Sequence, residues 1–170
     1  MKINVWSYKE EYKALKKKIL NEVDKVFSSG QLILGKNVES LEHNFSKYLT
    51  LKYGIGVNSG TDAIQIALMS AKIGRGAEVI TTPNTAVPTV SAIVSCGAKP
   101  VFVDIKEDDY LIDIQKIEKS ITKKTKCIIP VNLYGQCANY NEILKIDKKY
   151  NLIVIEDCAQ STGSLYQSKP

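Results

Sequence analysis

Apolar positions recur along this chain in two rhythms, and the change from one to the other falls near residue 50. In the first part the spacing is helical. Tyr12, Leu15, Ile19, Val23 and Phe27 follow one another at three- and four-residue steps, so the first thirty residues are expected to form a helix that Ser28, Ser29 and Gly30 stop. Val38, Leu41, Phe45 and Leu49 fall on one side of a second helix running from about Val38 to Leu49. Residues 1–50 are therefore read as an N-terminal helical segment.

Beyond it, short β-rich runs alternate with helical stretches. Strands are expected at Tyr53–Val57, Glu78–Thr82, Pro100–Ile105, Lys126–Leu133 and Leu152–Glu156. Helices are expected near Thr61–Lys72, Val87–Cys96, Asp113–Ile121 and Tyr140–Tyr150. Alternation of this kind predicts crossover units and an α/β fold, with a mainly parallel sheet covered on both faces. CIIPVNLY and LIVIED are nearly continuous apolar runs, as strands covered on both sides require. No internal repeat or low-complexity tract interrupts the pattern.

Composition narrows the field. With 170 residues, 44% hydrophobic and 24% charged, the chain suits an ordinary globular domain rather than a disordered or fibrous one. No apolar run approaches the roughly 18 residues of a membrane helix, and the opening MKINVWSYKEEYKALKK lacks the apolar core of a secretory signal. A cytoplasmic protein is expected. Cys96, Cys127, Cys137 and Cys158 form no CxxC pair, which suits reduced, mostly buried thiols. His43 is the only histidine, so no histidine-rich metal site is expected. The net charge of +5 comes almost wholly from lysines on helices such as Lys13, Lys16, Lys17 and Lys18, and Arg75 is the only arginine. Solvated helix faces give this pattern, whereas base readout leans on arginine, so nucleic acid is not expected as a partner.

Four segments hold candidate chemistry. In YGIGVNSGTDAIQIAL, Asn58, Ser59 and Gly60 lead into a helix opening at Thr61. The free amides of a helix start attract phosphate, although Ser59 or Thr61 also suits a plain helix cap. The spacing of Gly54, Gly56 and Gly60 is not the dinucleotide GxGxxG, and no Walker lysine follows. In LIVIEDCAQSTGS, Glu156 and Asp157 close an apolar strand, with Gln160 three residues on. A poorly solvated carboxylate there calls for a cation or several donors. A protonated pyridine nitrogen, magnesium, a ribose or a turn cap each answers that need. Thr82, Pro83, Asn84 and Thr85 form a polar loop, and Asn132, Tyr134 and Gly135 mark another strand end.

Read in order, SSGQLILGKNVESLEHNFSKYL, GVNSGTDAI, TPNTAVPTVSAI, GAKPVFVDI, IPVNLYGQ and IEDCAQSTGSLYQSKP resemble the DegT/DnrJ/StrS family of sugar aminotransferases. That resemblance implies the αβα sandwich of the type I pyridoxal-phosphate transferase large domain, here partial over residues 51–170 and lacking the C-terminal small domain. It also implies pyridoxal 5′-phosphate as cofactor, a homodimer, and amino transfer, usually from glutamate, to a nucleotide-linked keto sugar in polysaccharide or glycoside synthesis. By position, Ser59, Gly60 and Thr61 correspond to the phosphate-binding turn, Asp157 to the partner of the pyridine nitrogen, and Gln160 to a contact with the ring or its phenolic oxygen. The family often stacks an aromatic residue on the ring where this chain has Ala86, which leaves that task to Asn84 or makes the stacking weaker. It often has histidine where this chain has Asn132, which implies altered packing of substrate or cofactor.

The lysine that bonds the cofactor in the family corresponds to a position beyond Pro170. Lys169 matches a surface turn instead. No catalytic residue is therefore assigned in these 170 residues, and the chain alone is expected to be inactive, as a piece of a longer enzyme. Alternatives are a sugar dehydratase of the same family, a catalytically dead nucleotide-sugar-binding module, and an unrelated αβ domain binding NAD or ATP.

Overall fold

The structure is a computed structural model that describes residues 7–170. Expectations for residues 1–6 lie outside the described residues. The described chain belongs to two compact units, which meet in sequence at Gly56 and Val57.

The first unit carries helices α1 (Tyr8–Ser29) and α2 (Lys36–Tyr48). Gly30 ends α1 in the left-handed conformation, its amide donating to the Phe27 carbonyl at 3.2 Å. The strand expected at Tyr53–Val57 does not form, and the segment is irregular. Its glycines serve a different purpose. A Cβ on Gly54 would sit 2.5 Å from the Glu42 carbonyl oxygen, and the Gly56 amide donates to Glu42 Oε1 at 2.7 Å. Close approach to α2 thus takes the place of strand pairing.

The second unit is the layered domain. Its elements are α3 (Gly60–Ser70), β1 (Glu78–Thr81), α4 (Val87–Ser95), β2 (Lys99–Phe102), α5 (Ile114–Ser120), β3 (Thr125–Ile128), α6 (Tyr140–Tyr150) and β4 (Ile153–Val154). All strand pairs are parallel, and the order across the sheet is β2-β1-β3-β4. The strands are shorter than the apolar runs suggested. Pro130 has no amide to donate, so the β3 ladder stops before it, and pairing resumes only as a bridge between Val131 and Asp157.

Successive strand residues face opposite layers, as the pleat dictates. Val79, Cys127 and Ile129 join Ile64 and Leu68 of α3 and Ala92 and Ile93 of α4. Ile80 and Ile128 join Ile117 of α5 and Ile143 and Ile146 of α6. Two cores on two faces make the αβα sandwich expected from the sequence. Asp113 and Asn139 cap α5 and α6 by accepting amides two and three residues on.

The order of connections sets the position of the site. From β1 the chain crosses to β2 on one side, then returns to β3 on the other. This reversal opens a crevice at the carboxyl ends of β1 and β3, where open parallel sheets bind ligands.

Candidate functional site

Connectivity brings the singled-out segments to one edge. α3 ends shortly before β1 begins, so its first residues lie toward the carboxyl ends of the strands. Loop 82–86 leaves that end of β1, and residues 129–136 and 155–161 continue from β3 and β4. Leu111, Val131 and Leu133 form a small apolar cluster beneath these loops.

At the start of α3, Ser59 is the N-cap. Its Oγ accepts the Asp62 amide at 3.1 Å and donates to Asp62 Oδ2 at 2.9 Å. Its one proton is committed, so Ser59 serves the helix first. The Gly60 and Thr61 amides have no acceptor among the described residues, as expected of the first helical turn. A Cβ on Gly60 would meet nothing within 4 Å. The turn therefore offers two free amides and open space to an anion.

Asp157 sits on the other side of this edge. Its backbone is held from both directions: its amide donates to the Pro130 carbonyl at 3.1 Å, and its carbonyl accepts the Asn132 amide at 3.0 Å. The half-buried carboxylate accepts the Thr89 hydroxyl on Oδ2 at 2.7 Å and the Ala159 amide on Oδ1 at 3.3 Å. No lysine or arginine pairs with it among the described residues. An ionised carboxylate offers about four lone-pair sites, so capacity remains for a further donor, best a positively charged one.

Gln160 ties the neighbouring loop. Its side-chain oxygen accepts the Tyr134 amide at 3.4 Å, and its carbonyl accepts the Gly135 amide at 3.1 Å. Its amide nitrogen makes no hydrogen bond among the described residues, leaving two donors. Asn84 is half-buried and donates to the Tyr110 carbonyl at 3.4 Å. Ala86, exposed, is the N-cap of α4. Tyr110 and Tyr134 meet edge to face with centroids 6.3 Å apart, each in the left-handed backbone region.

Asn132, where the family often has histidine, turns its side chain inward. It is only 2% exposed, and its side chain bonds within the protein. Oδ1 accepts the Ala138 amide at 2.9 Å and the Tyr140 hydroxyl at 3.1 Å, while Nδ2 donates to Cys158 Sγ at 3.4 Å. This residue ties together the loops that carry Ala138, Tyr140 and Cys158.

The sequence marks Thr85 only as part of a polar loop and does not single out Thr89. Thr89 is 1% exposed on α4 and links Asp157 to Thr85, whose Oγ1 lies 2.8 Å from its own. A buried threonine on a face shared with Ala92 and Ile93 was the available signal, because such a hydroxyl needs a partner.

Lys169 lies on an exposed turn bridged to Tyr166, with Gln167 and Ser168 at positive φ between them. No group of three or more histidine, cysteine, aspartate or glutamate side chains gathers to hold a metal among the described residues. No described helix is long and apolar enough to cross a membrane.

A family model of the DegT/DnrJ/EryC1/StrS aminotransferases matches residues 13–170. Among relatives, a dTDP-3-amino-3,4,6-trideoxy-alpha-D-glucose transaminase of Micromonospora megalomicea is 46% identical over 94% of this chain and 43% of its own length. Among solved structures, DesV of S. venezuelae superposes with a TM-score of 0.92 at 34% identity, covering 96% of this chain and 44% of that one. NtdA of Bacillus subtilis, solved with the cofactor PMP bound, gives 0.84 at 39% identity, over 86% of this chain and 34% of its own. The chain thus spans less than half the length of these relatives.

Proposed function

Because the chain belongs to the DegT/DnrJ/EryC1/StrS aminotransferase family, we propose that it forms the cofactor-holding part of an enzyme that uses pyridoxal 5′-phosphate. The reaction is transfer of an amino group, with glutamate as donor, to a keto sugar carried on a nucleotide. The product would enter polysaccharide or glycoside synthesis. A homodimer of the full-length protein is part of the same reading.

One observation carries it. Asp157 is a carboxylate with spare accepting capacity and, among the described residues, no cation beside it, on the same sheet edge as a helix start with two free amides. These features suit the two ends of pyridoxal phosphate: a ring nitrogen that carries a proton and a phosphate that carries negative charge. When bound, the cofactor would supply an electron sink for the charge left by loss of a proton from carbon.

The chain's own residues would do the holding. Gly60 and Thr61 would take the phosphate on their amides and the Thr61 hydroxyl. Asp157 would keep the ring nitrogen protonated by favouring its charged form. The Gln160 amide nitrogen would donate to the phenolic oxygen. Asn84 and Ala86 would border the ring, and the small Ala86 side chain leaves the flat face to other contacts. The bond-forming lysine would be supplied by the longer protein.

Binding of pyridoxal phosphate to the 170-residue chain, followed by absorbance, tests this reading. Wild type is expected to bind the cofactor without a borohydride-reducible lysine adduct, and Asp157→Ala to weaken binding at least tenfold. A stoichiometric adduct on Lys169, or affinity indifferent to Asp157, would overturn it.

A further inference from the structure

We infer that Thr89 is a positioning residue for the cofactor's ring nitrogen, with Thr85 behind it: the two hydroxyls form a one-way relay that fixes the Asp157 carboxylate. This deepens the proposed function and rests on it.

Hydrogen counting sets the direction. A threonine hydroxyl has a single proton, and an ionised carboxylate has none. The contact between Thr89 Oγ1 and Asp157 Oδ2, at 2.7 Å, therefore takes the Thr89 proton. The contact between Thr85 and Thr89, at 2.8 Å, must then be supplied by Thr85. Protons point in one sense along the relay, from Thr85 through Thr89 to Asp157. Each bond polarises the next toward the carboxylate.

Burial makes this relay costly to lose. Thr89 is 1% exposed, so water cannot replace either partner. Its backbone belongs to α4, whose neighbouring Ala92 and Ile93 sit in one of the two cores. Helix packing thus fixes the hydroxyl, and the hydroxyl fixes one carboxylate oxygen. The second oxygen, Oδ1, has only the long Ala159 contact at 3.3 Å, so it is the oxygen with room for a new donor.

A simple staple between helix and sheet would need only a neutral acceptor. A half-buried carboxylate held by one strong donor, with no cation beside it among the described residues, is poorly matched to that task alone. It is well matched to receiving a cationic N–H.

The test compares pyridoxal phosphate with its 1-deaza analogue, in which carbon replaces the ring nitrogen. Both are titrated against wild type, Thr89→Val, Thr89→Ser and Thr85→Val, with circular dichroism as a check on folding. Wild type is expected to prefer pyridoxal phosphate. Thr89→Val should lose about tenfold for pyridoxal phosphate and less than twofold for the analogue, in line with one lost hydrogen bond to a charged group. Thr89→Ser should restore the wild-type preference. Thr85→Val leaves Thr89 in place and should cost about threefold, again only for the ring with nitrogen, which covers the case in which Thr89→Val does not fold.

Equal losses for both ligands in the variants, or no loss in either, would overturn the relay while leaving the proposed function intact. A wild type that binds neither ligand, or both equally, would overturn the cofactor reading itself and the relay with it.

Discussion

The Tyr140 hydroxyl donates to Asn132 Oδ1 at 3.1 Å in the interior, and the same oxygen accepts the Ala138 amide at 2.9 Å. Two donors thus converge on one buried acceptor. Replacing Asn132 by Ala strands both, and each buried donor left without a partner costs about 1–3 kcal/mol. Asn132→Ala should therefore lower the unfolding free energy by roughly 2–6 kcal/mol, whereas Tyr140→Phe, which leaves the Ala138 bond intact, should cost about 1 kcal/mol. Urea denaturation of the three proteins checks the ratio. Equal losses would mean that Asn132 acts by shape alone.

Asn151 ends α6 with φ of 51°, its amide donating to the Asp147 carbonyl. Left-handed backbone at this cap favours glycine and tolerates asparagine, while a β-branched residue clashes with its own carbonyl. Asn151→Gly should hold stability or raise it slightly, and Asn151→Val should cost about 1–2 kcal/mol. Thermal melts of the two variants read the difference directly. Lys148 and Lys149 in the last turn add a favourable charge at this helix end and should leave the order unchanged.

Cys127 lies wholly inside, and burial pushes its thiol up to about 12. Burial also raises Cys96, Cys137 and Cys158, all of them partly exposed. Thiolate is the reactive form, so at pH 8 an alkylating reagent should modify those three well before Cys127, which should react only as the chain unfolds. The linkage sign follows from the same shift. A free thiol ionises near 8.5, so above that pH the unfolded chain releases a proton that the folded chain retains. The stabilising contribution of Cys127 is complete below about pH 8.5 and is lost as pH rises through the folded value. A Cys127→Ala variant should flatten the alkaline fall in stability between about pH 9 and 12, as measured by denaturant midpoint against pH.

The parts of this fold written in local periodicity were legible. Each helix from α3 to α6 lies within a residue or two of where its apolar spacing put it; β1 and β4 fall inside their expected runs, and β2 and β3 each begin one residue before theirs. Tyr53–Val57 misled because Gly54 and Gly56 look like a turn-bounded strand, while their purpose is a close approach to Glu42 that no local pattern reveals. At the site, Ser59, Gly60, Thr61, Asp157 and Gln160 could be singled out because each stands where a strand ends or a helix begins. Thr89 showed only as a threonine on the apolar face of α4; its partner lies 68 residues away, and hydrophobic spacing does not say which hydroxyl meets which acid. The inward turn of the Asn132 side chain was hidden for a related reason. Its strand-end position was visible, but not the Tyr140 and Ala138 donors that consume its side chain.

Gly60 offers the sharpest separation of structure from binding. Its φ is not in the left-handed region, and a Cβ there would meet no atom within 4 Å, so the fold itself does not require glycine. Alanine is the better helix former by up to about 1 kcal/mol, less at a first helical position. Gly60→Ala should therefore melt at the wild-type temperature or slightly above it. If the open space before α3 is where phosphate rests on the Gly60 and Thr61 amides, the added methyl intrudes on it. Affinity for pyridoxal phosphate should then fall about tenfold or more, while pyridoxal, which lacks the phosphate, should bind Gly60→Ala and wild type alike. Calorimetry for stability and titration of both ligands measure the two effects on one sample. A variant that is stable and binds pyridoxal phosphate as wild type does would move the phosphate away from this turn. A Ser59→Ala control should behave in the opposite way: loss of its cap to the Asp62 amide should cost about 0.5–2 kcal/mol of stability, with little change in phosphate affinity because its proton is already given to Asp62.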